Sequence, residues 1–159
     1  MNVSWQLNDQ AHALKCDMAA EVLRSSGRLR LGVTGWSMLP SIWPGDTLEL
    51  ETTTAGELGE GDIVLFTRDQ RLFAHRIVKT GANAIVTRGD AMPRADRAVT
   101  DDELLGRVIC IMRNGKRIEP SRNLRLSERV VAGVVRFSDF GARVVVGIHG
   151  MFQATAGQS

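Results

Sequence analysis

The chain has 159 residues, a length that suits one domain or one domain with an appended helix. Hydrophobic residues make up 43% and charged residues 24%, the composition of a folded protein with a core and not of a disordered chain. The 20 basic residues nearly balance 18 acidic ones for a net charge of +2, and aromatics are only 5% with no Tyr, so neither a nucleic-acid partner nor a base-stacking platform is expected.

In chain order, Leu7, Ala11, Leu14, Met18, Val22 and Leu23 recur at helical spacing. They predict an amphipathic helix over about residues 9–25, stopped by Ser25-Ser26-Gly27. Leu29, Leu31 and Val33 then alternate with Arg28, Arg30 and Gly32, the period of a half-buried strand. Further strands are expected at Thr47–Glu51, Asp62–Thr67, Leu72–Lys79, Ala84–Thr87 and Leu105–Met112. Gly45-Asp46, Gly61-Asp62 and Gly89-Asp90 mark breaks between them, and Asn114-Gly115 reads as a hairpin turn. The expected fold is mainly β, with a β domain over residues 28–120 behind an N-terminal helix over 1–27.

After Pro120 the pattern changes, and residues 121–159 read as a separate segment. Arg122, Arg129, Arg136 and Arg143 fall at intervals of seven, with Val130, Val134, Phe137, Val144 and Val145 on the opposite arc. This predicts an amphipathic C-terminal helix. Such a helix packs on the β domain, forms a dimer interface or lies on an anionic membrane surface, and the partner surface would span residues 122–152.

Cys16 and Cys110 lie far apart and in no Cys-x-x-Cys pair, so buried reduced thiols are expected, without a metal or cofactor. Met1 to His12 contain no apolar run with a basic flank, so no signal peptide is expected. The longest stretch free of Asp, Glu, Lys and Arg is 16 residues, Val144 to Ser159, short of the roughly 20 apolar residues of a spanning helix. A cytoplasmic protein, with peripheral membrane contact as the alternative, follows as the expected localisation.

The segment richest in chemistry is Gly35-Trp36-Ser37-Met38-Leu39-Pro40, followed by Pro44-Gly45-Asp46 and a strand. A Ser after a strand, flanked by Gly and turned by Pro, can project its hydroxyl from a sheet, with backbone N–H groups free to bind an oxyanion. On spacing alone, a Ser in such a place is more often a cap or turn former. His75 shares a strand face with Phe73 and Ile77, where a hydrogen-bonded core histidine is the bland alternative. Asp90 follows Gly89 and can equally cap that turn.

Val33 to Asp46 resembles the nucleophile box of the signal peptidase I and LexA-type serine peptidases, Gly/Ser-x-Ser-Met-x-Pro followed by Gly-Asp and an apolar strand. Gly61-Asp62-Ile63-Val64-Leu65-Phe66, Ala74-His75-Arg76-Ile77-Val78 and Arg88-Gly89-Asp90 with Asp96 are similar to that clan's later boxes, in order and at similar spacing over about residues 30–110. The resemblance implies a signal peptidase-like β fold and a serine endopeptidase with Ser37 as nucleophile. It puts His75 in the position of the general base, as in the endoplasmic-reticulum and archaeal branch, where other branches place a Lys. An imidazole accepts a proton near neutral pH, whereas a Lys must first be desolvated. Lys79, the one Lys near in sequence, does not match the family position.

The same resemblance offers Asp90 and Asp96 as the carboxylate, with Asp96 expected to orient His75 and Asp90 to brace the loop. It places Gly35, Trp36, Met38 and Pro40 in the oxyanion and substrate region. Gly35 departs from the family, many of whose members carry a Ser hydroxyl there. Trp36 replaces a residue that is usually small, and no membrane anchor is seen. The implied partner is a peptide bound as an extended strand, with shallow apolar pockets favouring small residues. A non-catalytic peptide-binding module on the same fold is the alternative. A self-cleaving regulator is disfavoured, because about 30 residues before the β domain are too few for a helix-turn-helix domain.

Overall fold

The computed structural model of the chain describes residues 3–82 and 84–123, with side chains from residue 10 onward. Helix α1 runs over Val3–Ser26. It starts earlier than its apolar spacing predicts, since no Gly or Pro between Val3 and Asp9 interrupts it. It stops where expected. Gly27 takes φ +71° and its N–H donates to the Leu23 carbonyl at 2.9 Å, a left-handed C-cap.

The face that α1 buries differs from the predicted one. Cys16, Ala19 and Leu23 are buried, while Leu14 and Met18 are 60% and 59% exposed and Val22 is also exposed. Small side chains at 16 and 19 let the helix approach the sheet closely, and Leu23 reaches Gly106 on the central strand. The outward stripe of Leu14, Met18 and Val22 is therefore not the core face. No helix among the described residues is long and apolar enough to cross a membrane.

Seven strands follow among the described residues: β1 (Arg28–Gly32), β2 (Thr47–Glu51), β3 (Ile63–Arg68), β4 (Arg71–Thr80), β5 (Ile85–Arg88), β6 (Leu104–Arg113) and β7 (Lys116–Ile118). They form one antiparallel sheet in the order β1-β2-β6-β3-β4-β5, with β7 also on β6. The chain is thus mainly β with an N-terminal helix. Six strands lie within a residue of where alternation and glycine turns predict them; β7 is a short addition beyond the Asn114-Gly115 turn. Both residues of that turn have positive φ, as its chemistry requires. Asp69 and Gln70 also take positive φ in the two-residue turn between β3 and β4, which no glycine announces.

Strand β3 explains how the core is divided. Ile63, Val64, Leu65 and Phe66 are all buried, so both faces of this strand are covered. Ile63 and Leu65 join Leu48, Leu50, Val108 and Ile111 in one cluster, which also takes Leu23 of α1 and Met38 and Ile42 of the β1–β2 loop. Val64 and Phe66 join Ile77, Ile85 and Val99 in the other. Truncating a leucine such as Leu65 to alanine in this setting costs about 2–5 kcal/mol. The expected C-terminal helix and the partner surface over residues 122–152 lie outside the described residues, except for Arg122 and Asn123. Arg122 donates to Asp62 at 3.0 Å.

Candidate active site

The loop between β1 and β2 is closed at its neck. The Val33 N–H donates to the Asp46 carbonyl at 2.8 Å, and the Gly45 N–H donates to the Val33 carbonyl at 2.9 Å. Gly45 has φ +93°, which accounts for glycine there. Asp46 is buried and carries three donors: Arg113 Nε at 2.9 Å, Arg113 Nη2 at 2.7 Å and the Trp43 N–H at 2.8 Å. Arg113 Nη2 also donates to the Ser41 carbonyl at 3.1 Å. With Met38 and Ile42 buried beneath it, this loop holds Ser37 in one place.

Ser37 itself begins a turn. Gly35 and Trp36 before it are exposed, Met38 is buried in the core, and Pro40 is half-buried after a cis Leu39–Pro40 peptide. Of the four residues expected in the oxyanion and substrate region, Gly35 and Trp36 therefore face outward beside Ser37, and Met38 does not. Among the described residues, the N–H groups of Gly35, Trp36, Ser37 and Met38 donate to no protein acceptor. A β-carbon at Gly35 would meet nothing within 4 Å.

Strand β4 supplies the partner of Ser37. His75 is buried, packed edge-on against Phe66 with ring centroids 5.9 Å apart and tilted against Phe73 at 5.8 Å. Its Nε2 lies 3.0 Å from Ser37 Oγ and its Nδ1 lies 2.7 Å from Asp96 Oδ2. Burial raises the Asp96 carboxyl, but hydrogen bonds from His75 and Thr87 and the nearby positive charge outweigh it and hold the pKa below the ordinary 3.8. At neutral pH Asp96 is ionised and can only accept, so Nδ1 carries the proton. In the neutral imidazole, Nε2 then presents its lone pair to the Ser37 hydroxyl. Lys79 is exposed farther along β4.

Asp90 has a different partner. Arg76 donates to both of its oxygens, Nε to Oδ1 at 2.9 Å and Nη2 to Oδ2 at 2.8 Å, and both side chains are buried. Ser41 Oγ donates to Asp90 Oδ2 at 2.5 Å. Arg76 also reaches the carbonyls of Gly61 and Ser121, joining four separate segments. His75 and Arg76 are consecutive on a strand and point to opposite faces, so each takes its own carboxylate.

Gly89 fits between these two systems. A β-carbon there would stand 2.5 Å from the Ser37 carbonyl oxygen and 2.7 Å from Met92 Cγ. The Ala91 N–H donates to that same Ser37 carbonyl at 2.9 Å. Sequence reasoning singled out neither this contact nor the roles of Arg76, Ser41 and Thr87. The parity of Arg76 beside His75 was the available signal for the first; Thr87 and Ser41 carry none.

No family model and no curated protein matches the chain. Among the described residues, no group of three or more His, Cys, Asp or Glu side chains is placed to hold a metal ion. A recess lined by His12, Asp69, Gln70, Arg71 and Phe73 includes none of Ser37, His75 and Asp96, although Phe73 packs against His75. Hydrogen-bond connectivity, and not the depth of a cavity, marks out Ser37, His75 and Asp96.

Proposed function

We propose that the protein is a serine endopeptidase of the signal peptidase-like clan, with its fold, that cleaves an extended peptide by acyl transfer at Ser37. The observation that carries this reading is the continuous chain Ser37 Oγ–His75 Nε2–His75 Nδ1–Asp96 Oδ2, at 3.0 and 2.7 Å. It assembles residues 21 and 38 positions apart in sequence. A nucleophile, a base and an orienting carboxylate within hydrogen-bond reach are the components that activate a hydroxyl.

In this reading Ser37 Oγ attacks a substrate carbonyl carbon as its proton passes to His75 Nε2. Asp96 stabilises the imidazolium through Nδ1–H. The oxyanion forms beside the N–H groups around Ser37. The imidazolium then gives its proton to the leaving amine, and an ester remains on Ser37. Water attacks that ester with His75 as base, releasing the acid and restoring the hydroxyl. The substrate lies as an extended strand along the exposed Gly35-Trp36 segment.

The alternative, a peptide-binding module on the same fold, rests on Gly35, which supplies no hydroxyl donor for the oxyanion. A fluorophosphonate probe separates the two, because it labels an activated serine and spares an inert one. Wild-type protein should be labelled, and Ser37→Ala should lose labelling on the order of 10⁶-fold, down to background. Wild type that resists the probe, or Ser37→Ala that still takes it, would overturn the peptidase reading.

A further inference from the structure

Two donors converge on one oxygen of Asp96. His75 Nδ1 and Thr87 Oγ1 each lie 2.7 Å from Oδ2. Thr87 sits on β5 with no solvent exposure, whereas 24% of the Asp96 side chain is exposed. The Thr87 carbonyl also accepts the Asp96 backbone N–H at 2.8 Å. One fully buried residue thus holds Asp96 by both its backbone and its side chain.

The loop around Asp96 is pinned at its two ends by other groups. On one side Asp90 is locked to Arg76. On the other, Arg68 donates to the carbonyls of Arg97 at 3.0 Å and Ala98 at 2.9 Å while its own guanidinium is paired with Glu103. These contacts place the Asp96 backbone and leave its side-chain torsions open to choice. A partly exposed carboxylate can turn one oxygen or the other toward water. The Thr87 hydroxyl removes that choice, because a buried hydroxyl left without an acceptor is costly and Asp96 is its only bonded acceptor among the described residues.

We infer that Thr87 is a positioning residue: its hydroxyl fixes the Asp96 carboxylate so that Oδ2 faces His75 Nδ1 before any substrate arrives. It acts through Asp96 and touches neither Ser37 nor substrate. The inference rests on the Ser37 reading for its consequence in catalysis, and on geometry alone for its effect on the imidazole.

Thr87→Val keeps the shape and deletes the donor, and Thr87→Ser keeps the donor. The Nδ1–H proton resonance of His75 should be sharp in wild type and Thr87→Ser, and broadened by exchange in Thr87→Val. Fluorophosphonate labelling should slow about 10- to 100-fold in Thr87→Val, return in Thr87→Ser, and show no further loss when Thr87→Val is added to Asp96→Ala. Thermal unfolding run alongside verifies that each variant is folded, with Thr87→Ala as a second deletion of the hydroxyl if valine does not fit. A sharp Nδ1–H resonance in the folded deletion variant would overturn the inference, as would an equal loss of labelling with and without Asp96. Wild type that resists the probe sinks the peptidase reading instead, and the resonance still decides the role of Thr87.

Discussion

Gly89 packs so tightly on Ser37 that a β-carbon at residue 89 would stand 2.5 Å from the Ser37 carbonyl oxygen and 3.1 Å from its Cβ. Glycine is required here by closeness and not by backbone conformation, since Gly89 is not among the glycines with positive φ. Gly89→Ala must push Ser37 away or open the loop, and overpacking of this kind costs about 1–3 kcal/mol. A displacement of the hydroxyl by about 1 Å from His75 Nε2 costs on the order of 10²-fold in rate. Probe labelling should fall by that factor while the protein stays folded by thermal unfolding. Unchanged labelling would mean that the contact does not position Ser37.

Asp90 and Asp96 should respond differently to the same chemical change. Asp96→Asn removes the charge that stabilises the imidazolium, and in the serine-protease template this costs about 10⁴ in turnover with geometry intact. A carboxylate that merely capped the Gly89 turn would tolerate Asn, but Asp90 forms a buried two-point ion pair with Arg76. Asp90→Asn leaves that guanidinium uncompensated, at a cost of about 3–5 kcal/mol. The loss should therefore appear in the unfolding temperature for Asp90→Asn and in the labelling rate for Asp96→Asn. The reverse pattern would show the two assignments exchanged.

Position 35 has room for a donor. A β-carbon there meets nothing within 4 Å, and Gly35 does not adopt positive φ. Gly35→Ser should leave stability within about 0.5 kcal/mol of wild type. If the oxyanion site lacks a donor, the added hydroxyl should raise the labelling rate, since one such donor is worth about 10²–10³ in turnover. A rate that does not rise would indicate that backbone N–H groups already fill that role.

The acid sensitivity of the fold should include a contribution from Glu103. Its hydrogen bonds from Arg68, together with the Thr100 N–H, hold its carboxyl down at about 2, against an ordinary value of 4.5. A group with a depressed folded pKa stabilises the fold fully above its unfolded value and loses that contribution as pH falls through the folded one. Glu103→Gln should thus be less stable than wild type at pH 6, with the gap closing between about pH 4.5 and 2. A gap that stays constant over this range, measured by denaturant unfolding, would exclude the Arg68–Glu103 pair as its source.

Local rules made much of the β architecture legible in the sequence. Alternation at Leu29 and Leu31, the glycine turns at 45 and 61 and the Asn114-Gly115 hairpin locate the strands, because each depends on a few adjacent residues. Ser37, His75 and the two acidic candidates also stood out, through their motifs. Other features depend on contacts between distant segments. The outward stripe on α1 reads as a core face until Cys16 and Ala19 are seen to pack more closely against the sheet. Helical spacing reports that apolar residues share an arc, and only packing decides which arc is buried. Likewise, Asp90 and Asp96 lie on one loop, and spacing alone cannot divide their roles. The pleat of β4 does so, sending His75 to one face with Asp96 and Arg76 to the other with Asp90. Thr87 had no sequence signal at all, because a hydroxyl in a strand gains its acceptor only when β5 and the following loop fold back together.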